Sequence, residues 1–538
     1  MSSPTREPRS AAARFGTFGG VFTPCVLTIL GVIMFLRFGE VVGNAGLLHG
    51  LLIVLAAKTI TLLTGLSLSA IATNTRTSGG GAYFLISRSL GLEFGGTIGL
   101  VFFFAQAISV AMYVIGFSEV LVGLVPALEG RLVETGTIVN LVVFACVFIG
   151  AGWTIRVQYG ILAILGLAIV SFVAGAIPAL EPSLLREHVS PGYRDGESLV
   201  TMFALFFPAV TGIMAGANMS GDLKDPARSI PRGTLAAIAV TAAVYLGICV
   251  LLAGVAPRER LTGDPMLMHD VALVPWLVTA GVFAATLSSA LGSMMGSPRI
   301  LQAVARDQVL PILRPLAAGS GPTGEPRRAV VLTFVIAQAG VMVGDLNAIA
   351  PIITMAFMIT YGTLCLATTL ESLSGNPSYR PRFRFNHWTM SAAGFVLCVG
   401  VMLLISWTWA LLSIGLLVLL HRFIAAREIQ ANWGDLRSGL AFERARRNLL
   451  AVEALAEHPK NWRPVLLVLT GAADRRKHLA VFGQWLTAGH GVQSLGVVIE
   501  GRVESLLDRR ATQKQVLRRF IAEEDIPAFP VLCVSPTL

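Results

Sequence analysis

Apolar residues along this chain come in long unbroken runs with no strand-like alternation. Stretches of membrane-crossing length recur at residues 21–46, 50–72, 95–124, 136–152, 158–180, 199–220, 233–256, 272–296, 329–346, 348–372, 389–405 and 408–424. They predict an all-α polytopic membrane domain of twelve transmembrane helices over 21–424, after a cytoplasmic N-terminal segment, 1–20. The first run is too long for a cleavable leader and contains Arg37, so it reads as a span. Past residue 425 the pattern changes. A polar, Arg-rich stretch, "AREIQANWGDLRSGLAFERARRNLLAVEALAEHPKNWRP", predicts a linker helix within 425–462. "VLLVLTG" then reads as a buried strand, followed by a helix near 475–488, the strand-like "VQSLGVVIEG", a charged helix near 503–524 and "FPVLCVSP". That alternation predicts a small cytoplasmic α/β domain over 463–538, regulatory or dimerising in role.

Composition agrees with a membrane protein: the 538 residues are 54% hydrophobic and only 13% charged, with mean hydropathy +0.72. Lys and Arg concentrate in one set of loops, including Arg14, Arg88, Arg232, Arg327 and Arg384, while the other set holds fewer, such as Arg131 and Arg258. Basic loops stay cytoplasmic, so both termini are expected inside, in a plasma membrane or a bacterial inner membrane. The formal net charge of +10 is accounted for by these topology determinants facing anionic lipid, with no nucleic acid required. The six cysteines are scattered without metal-ligand spacing and read as packing residues. The tail contains neither a Walker loop nor GxGxxG, which argues against nucleotide binding.

Two spans contain helix breakers. In "TPCVLTILGVIMFLR" Pro24 precedes Gly31-Val32-Ile33, and in "FFPAVTGIMAGAN" Pro208 precedes Gly212-Ile213-Met214. Unpaired peptide groups are tolerated at membrane depth only where they are buried in protein or line a watery cavity. Paired interruptions five spans apart mark a five-plus-five inverted repeat with discontinuous helices 1 and 6 and a binding site at mid-membrane. The amides that begin each outer half-helix form an anion site, and the carbonyls that end each inner half-helix can hold a dehydrated alkali cation. No Asp, Glu or His lies within a turn of either break. A cage of dipoles alone holds a lone ion poorly, so ions of opposite sign are expected together, giving electroneutral cotransport.

"GVIMFLRFGEVVGNAG", "GLSLSAIATNTRTSGGGAYFLISRSLGLEFGGTIGL", "AMYVIGFSEV", "FALFFPAVTGIMAGANMSGDLKDPARSIPRGT", "ATLSSALGSMMGSPRILQA" and "NPSYRPRFRFNHW" resemble the cation-chloride cotransporters of the amino acid-polyamine-organocation superfamily. The resemblance covers the membrane part and continues through "NWRPVLLVLTG". It implies a LeuT-like fold, a ten-helix inverted repeat plus two further helices, transporting ions without a bound cofactor. It implies potassium at the carbonyls of Thr28, Ile29 and Pro208, the Thr211 hydroxyl and the Tyr113 phenol. One chloride is implied at the amides of Gly31, Val32 and Ile33, and a second at Gly212, Ile213 and Met214 with the Tyr361 hydroxyl. Sodium is implied at Ala285, Ser288 and Ser289 with carbonyls near Leu27 and Leu30. Family members that lack sodium coupling typically lack the second serine, and those that lack potassium typically lack the tyrosine. This chain has both, which favours sodium-potassium-chloride symport over its two-ion variants. Thr28 stands in place of the family's usual Asn, and Leu30 in place of the Trp usual in animal members. Lys58 departs from the small residues usual in the second span, where it either snorkels or neutralises part of a site. The family also implies a homodimer through the linker helix and tail.

Arg37 and Glu119 each lie six residues beyond a predicted site residue on helices running the same way. That places both about 9 Å above the site and predicts an outer gate, with a static packing pair as the alternative. An amino acid permease would share the fold, but its carboxylate site calls for a more glycine-rich first break than "ILGVIMF". An enzyme would need convergent nucleophiles or carboxylates inside the bundle, which the sparse polar residues do not supply. A transport-dead sensor acting through the tail is the remaining alternative.

Overall fold

The computed structural model describes residues 15–74, 81–149, 154–218, 220–320, 324–374, 379–426, 436–453, 462–471, 475–502 and 506–536. Most of the predicted N-terminal segment lies outside the described residues, as do positions 427–435 and 454–461 of the predicted linker. The chain divides into two compact units, Met1–Arg444 and Ala445–Leu538.

The first unit is built from helices, the form that satisfies every peptide group internally in an apolar medium. A π-helical turn, Phe18–Phe22, leads into α1 (Thr23–Ile29), which is followed by α2 (Val32–Leu36) and α3 (Phe38–Asn74). α3 turns at Gly46, the last residue of the first predicted span, with φ 67°. A Cβ there would lie 2.4 Å from the Ser190 carbonyl oxygen, and the next amide, of Leu47, donates to the His188 carbonyl at 2.7 Å. Only glycine fits so close an approach in that conformation.

Then come α4 (Gly81–Leu90), α5 (Leu92–Leu124), α6 (Leu132–Ile149), α7 (Thr154–Ala176) and a short α8 (Pro182–Glu187). α9 (Leu199–Phe206) passes into a 3-10 helix, Phe207–Met214, and α10 (Ala215–Asn218). α11 (Pro226–Val255) precedes two short helices, α12 (Arg258–Gly263) and α13 (Leu267–Val271), and the long α14 (Pro275–Arg306). α15 (Arg327–Val341), α16 (Leu346–Leu373), α17 (Trp388–Ile405) and α18 (Trp407–Ala425) follow, and the division between the two units falls within α19 (Leu436–Glu453).

Among the described residues 11 helical segments are long and apolar enough to cross a membrane. The predicted stretch 329–346 is not among them. There α15 has only 15 residues, about 22 Å of rise, because a turn through Gly344 at φ 68° ends it before α16 begins.

α5 and α14 cross antiparallel at the centre. Gln106 faces Gly296, Phe103 accepts from Ser297 Oγ at 3.1 Å, and Gly99 meets Val304. Two hydroxyls of α5 are satisfied within the helix: Ser109 and Ser118 donate to the carbonyls four residues back, at 2.7 and 2.8 Å.

The second unit contains β1 (Val465–Leu469), α20 (Lys477–Thr487), β2 (Val492–Glu500), α21 (Leu507–Glu523) and β3 (Ala528–Ser535). The strands form a parallel sheet in the order β1-β2-β3, with Val465 opposite Val492 and Gln493 opposite Ala528. Its small core comprises Ala480, Leu495, Ile499, Leu517, Ile526 and Leu532.

Candidate ion-binding site

The first predicted break is a gap. α1 closes with the Leu30 amide on the Val26 carbonyl at 2.8 Å, and Gly31 then leaves the helical region at φ −109°, ψ −147°. Gly31, Val32 and Ile33 therefore occupy the N-cap and first two positions of α2, where amides have no carbonyl one turn earlier to bond. Pro24 does not cause this gap. It stands near the start of α1, which continues the helical turn Phe18–Phe22, and so lies well before the gap.

The second break corrects the expectation of an unwound segment. Residues 207–214 stay helical, tightened into an eight-residue 3-10 run whose following amide, of Ala215, donates to the Gly212 carbonyl. Pro208 is the second residue of the 3-10 run, directly after α9, and its missing N–H leaves the Ala204 carbonyl to accept from Thr354 Oγ1 at 2.8 Å. Gly212 serves close approach: a Cβ there would fall 2.7 Å from the Thr28 Cβ and 2.9 Å from the Ile29 nitrogen. The proline-glycine signature thus brings this segment against α1, and the amides of Gly212, Ile213 and Met214 lie within a hydrogen-bonded run.

Around this contact the structure gathers most of the implied potassium ligands. The Thr211 hydroxyl donates to the Pro208 carbonyl at 2.8 Å, and the Thr28 hydroxyl to that of Pro24 at 2.7 Å. The Tyr361 hydroxyl donates to the Thr211 carbonyl. A cavity of about 50 Å³ opens here, bordered by Thr28, Tyr113, Thr211, Gly212 and Ser288. No described residue hydrogen-bonds the Tyr113 phenol, which borders that cavity. Ser289 donates to the Leu27 carbonyl at 3.2 Å and lies 3.8 Å from where a Cβ on Gly31 would stand, so the implied sodium ligands also adjoin the gap. Ala285 is buried one turn earlier on α14.

The cavity is one-sided. From Tyr113 it continues along Gln106 and Ser109 of α5, and from Ser288 along Ser293 to Arg299 of α14. Because these helices are antiparallel, both runs lead to the same face. Among its described lining residues Arg299 is the one formal charge and no carboxylate occurs.

Toward the other face lies a cluster of charged and polar side chains. Arg37, where α2 ends, donates to Glu119 Oε1 at 2.8 Å and to Asn347 Oδ1 at 2.6 Å. Its Nε also lies 3.8 Å from Glu40 Oε2. The predicted pair is thus a four-residue network tying α2, α3, α5 and α16 together.

Sequence reasoning missed Asn347 and, more importantly, Tyr245. The Tyr245 hydroxyl reaches the Ile29 carbonyl at 2.7 Å and the Ala209 carbonyl at 3.3 Å, touching both predicted breaks at once. One signal was available: Tyr245 is one of just 7 tyrosines in the chain and stands alone in the apolar "VTAAVYLGICV". A buried phenol in such a setting needs a polar partner.

The amino acid permease family model matches residues 20–468. The chain is 36% identical to solute carrier family 12 member 2 of Squalus acanthias, over 98% of this chain and 50% of that protein. Identity to the Homo sapiens member 2 is 34%, over 98% and 49% of the two chains. Identity to member 1 of Mus musculus is 36%, over 90% and 50%. The chain therefore spans about half the length of these relatives. With its run of apolar helices this is a multi-pass membrane protein, and the chain belongs to the amino acid permease family.

Proposed function

We propose that the protein is an electroneutral symporter of sodium, potassium and chloride working by alternating access. One observation carries the reading: the gap at Leu30–Gly31 exposes amides and carbonyls beside a cavity bordered by Tyr113, Thr211 and Ser288, with no described carboxylate on its wall. Peptide dipoles and hydroxyls suit small ions of both signs. The sequence resemblance to the cation-chloride cotransporters and the similarity to members of solute carrier family 12 support the same reading.

Potassium is assigned to Thr28, Ile29, Pro208, Thr211 and Tyr113, sodium to Leu27, Leu30, Ala285, Ser288 and Ser289, and the first chloride to Gly31, Val32 and Ile33. The second chloride, at Gly212, Ile213, Met214 and Tyr361, requires the 3-10 run to loosen and Tyr361 to leave the Thr211 carbonyl. The one-sided cavity and the Arg37–Glu119 closure fit a state open toward the N-terminal face, which positive loops assign to the cytoplasm. α15 is read as a short ninth crossing, giving twelve spans with both termini on one side. The α1–α2 gap and the 3-10 run five spans later support an inverted repeat. The linker and C-terminal unit are read as a homodimer interface.

Family membership alone leaves amino acids open as substrates. The first break argues against them, since bulky Val32 and Ile33 follow its single glycine. Rubidium uptake into proteoliposomes, with sodium and chloride omitted in turn, tests the assignment. Loss of uptake on either omission is expected. Persistence without chloride refutes cotransport, and uptake of labelled amino acids in place of rubidium supports the permease.

A further inference from the structure

Lys58 lies within α3, deep in a membrane-spanning segment, and does not snorkel. Its side chain is buried and Nζ donates to Thr241 Oγ1 at 2.7 Å. Thr241 can accept this bond because its own hydrogen goes to the Ala237 carbonyl, also at 2.7 Å. The ammonium also sits 5.1 Å from the centroid of the Tyr245 ring, a cation–π distance. Phe38 and Phe206 pack edge-on to the same ring, at 5.4 and 5.2 Å, so the surroundings are apolar.

No described carboxylate pairs with Lys58. Glu40 and Glu119 are engaged by Arg37, and Glu371 is near the far end of α16 with Ser374. A lone buried ammonium is costly, and one hydroxyl plus one ring compensate it only in part. The same ring carries the hydroxyl that bonds the Ile29 carbonyl, one of those assigned to potassium. Lys58 is therefore one side chain away from the ion site.

We propose that Lys58 is a tethered cation of that site: its charge opposes potassium at the Ile29 carbonyl and supports chloride at the adjoining break, so that chloride is held with less dependence on potassium. The proposal rests on the symport reading above. At the separation of one tyrosine side chain, the charged form of the amine changes ion binding by roughly tenfold at protein-like dielectric.

The test uses full-length protein in proteoliposomes, with half-saturation concentrations of rubidium and chloride measured for wild type, Lys58→Thr and Lys58→Arg. Lys58→Thr lowers the rubidium value and raises the chloride value, each by roughly tenfold, while Lys58→Arg keeps the wild-type order. Opposite shifts are the signature, because a merely structural role moves both values the same way. Thr241→Val, which removes the anchoring hydroxyl and keeps the helix, serves if Lys58→Thr does not fold, and gives smaller shifts of the same signs. Unchanged values, or a common shift, overturn the proposal. Absence of chloride uptake by the wild type instead refutes the symport reading itself, a separate outcome.

Discussion

The first and sixth predicted spans share a proline-then-glycine signature, yet they fold differently. In the first, the helix stops at Leu30 and restarts at Val32, so the amides that begin the second piece have no carbonyl one turn earlier. In the second, the backbone stays helical but narrows to 3-10 geometry for eight residues, and hydroxyls of Thr211 and Tyr361 cover the carbonyls of Pro208 and Thr211. The difference lies in what each glycine does. Gly31 adopts a backbone conformation that ends a helix, whereas Gly212 removes a side chain so that another helix can touch it. On the proposed reading the first break is already open to bind an ion, whereas the second is a helical contact that has to rearrange before its amides can do so.

Five substitutions sharpen or break this contrast. The largest effect is expected at Arg37, which ends α2. Arg37→Ala leaves the partly buried Glu119 and Glu40 without their cation, a loss of about 3–5 kcal/mol for removing one partner of a buried pair, reduced by the residual exposure of both acids. Rubidium leak without chloride should rise at least tenfold; unchanged leak makes the network static packing.

Gly212→Ala comes next. Its new methyl group must displace Thr28 or the α1 backbone, costing about 1–3 kcal/mol, so thermal stability and uptake fall together. Gly31→Ala meets its nearest atom, the Thr28 carbonyl oxygen, only at 3.3 Å. Its stability should change less, while its chloride half-saturation rises. If Gly31→Ala proves the more destabilising, the two glycines have been assigned the wrong roles.

Tyr245→Phe removes the hydroxyl that joins the two segments and leaves the Ile29 carbonyl short of a donor, about 1–3 kcal/mol. A lower melting temperature and a shifted rubidium half-saturation should accompany each other, and a change in neither refutes the bridging role. The smallest effect is expected from Ser289→Ala, which loses one hydroxyl near the gap. Sodium half-saturation should rise a few-fold with rubidium unchanged; equal shifts in both place this serine outside a distinct sodium site.

Sequence pattern captured the long apolar helices well because a span must be apolar over its whole length, a signal that no tertiary contact needs to supply. It placed the turn between the first two spans within a few residues of Gly46 and missed the shortness of α15, whose end depends on the Gly344 turn. Arg37 and Glu119 were legible because helical rise converts residue number into height. The state of the second break was not legible, since proline and glycine allow an unwound loop, a tight helix or a close contact alike, and the neighbouring α1 decides among them. Tyr245 and Asn347 were missed for a related reason. Their partners lie 216 and 310 residues away, and neither position carries a local motif.

The central claim is that free peptide amides at the first break bind the anion. A structure of the protein with bromide in place of chloride, read by its anomalous scattering, tests it most directly. A bromide peak is expected against the amides of Gly31, Val32 and Ile33. Bromide found only beside Arg299, with these amides closed into continuous helix, would contradict the account.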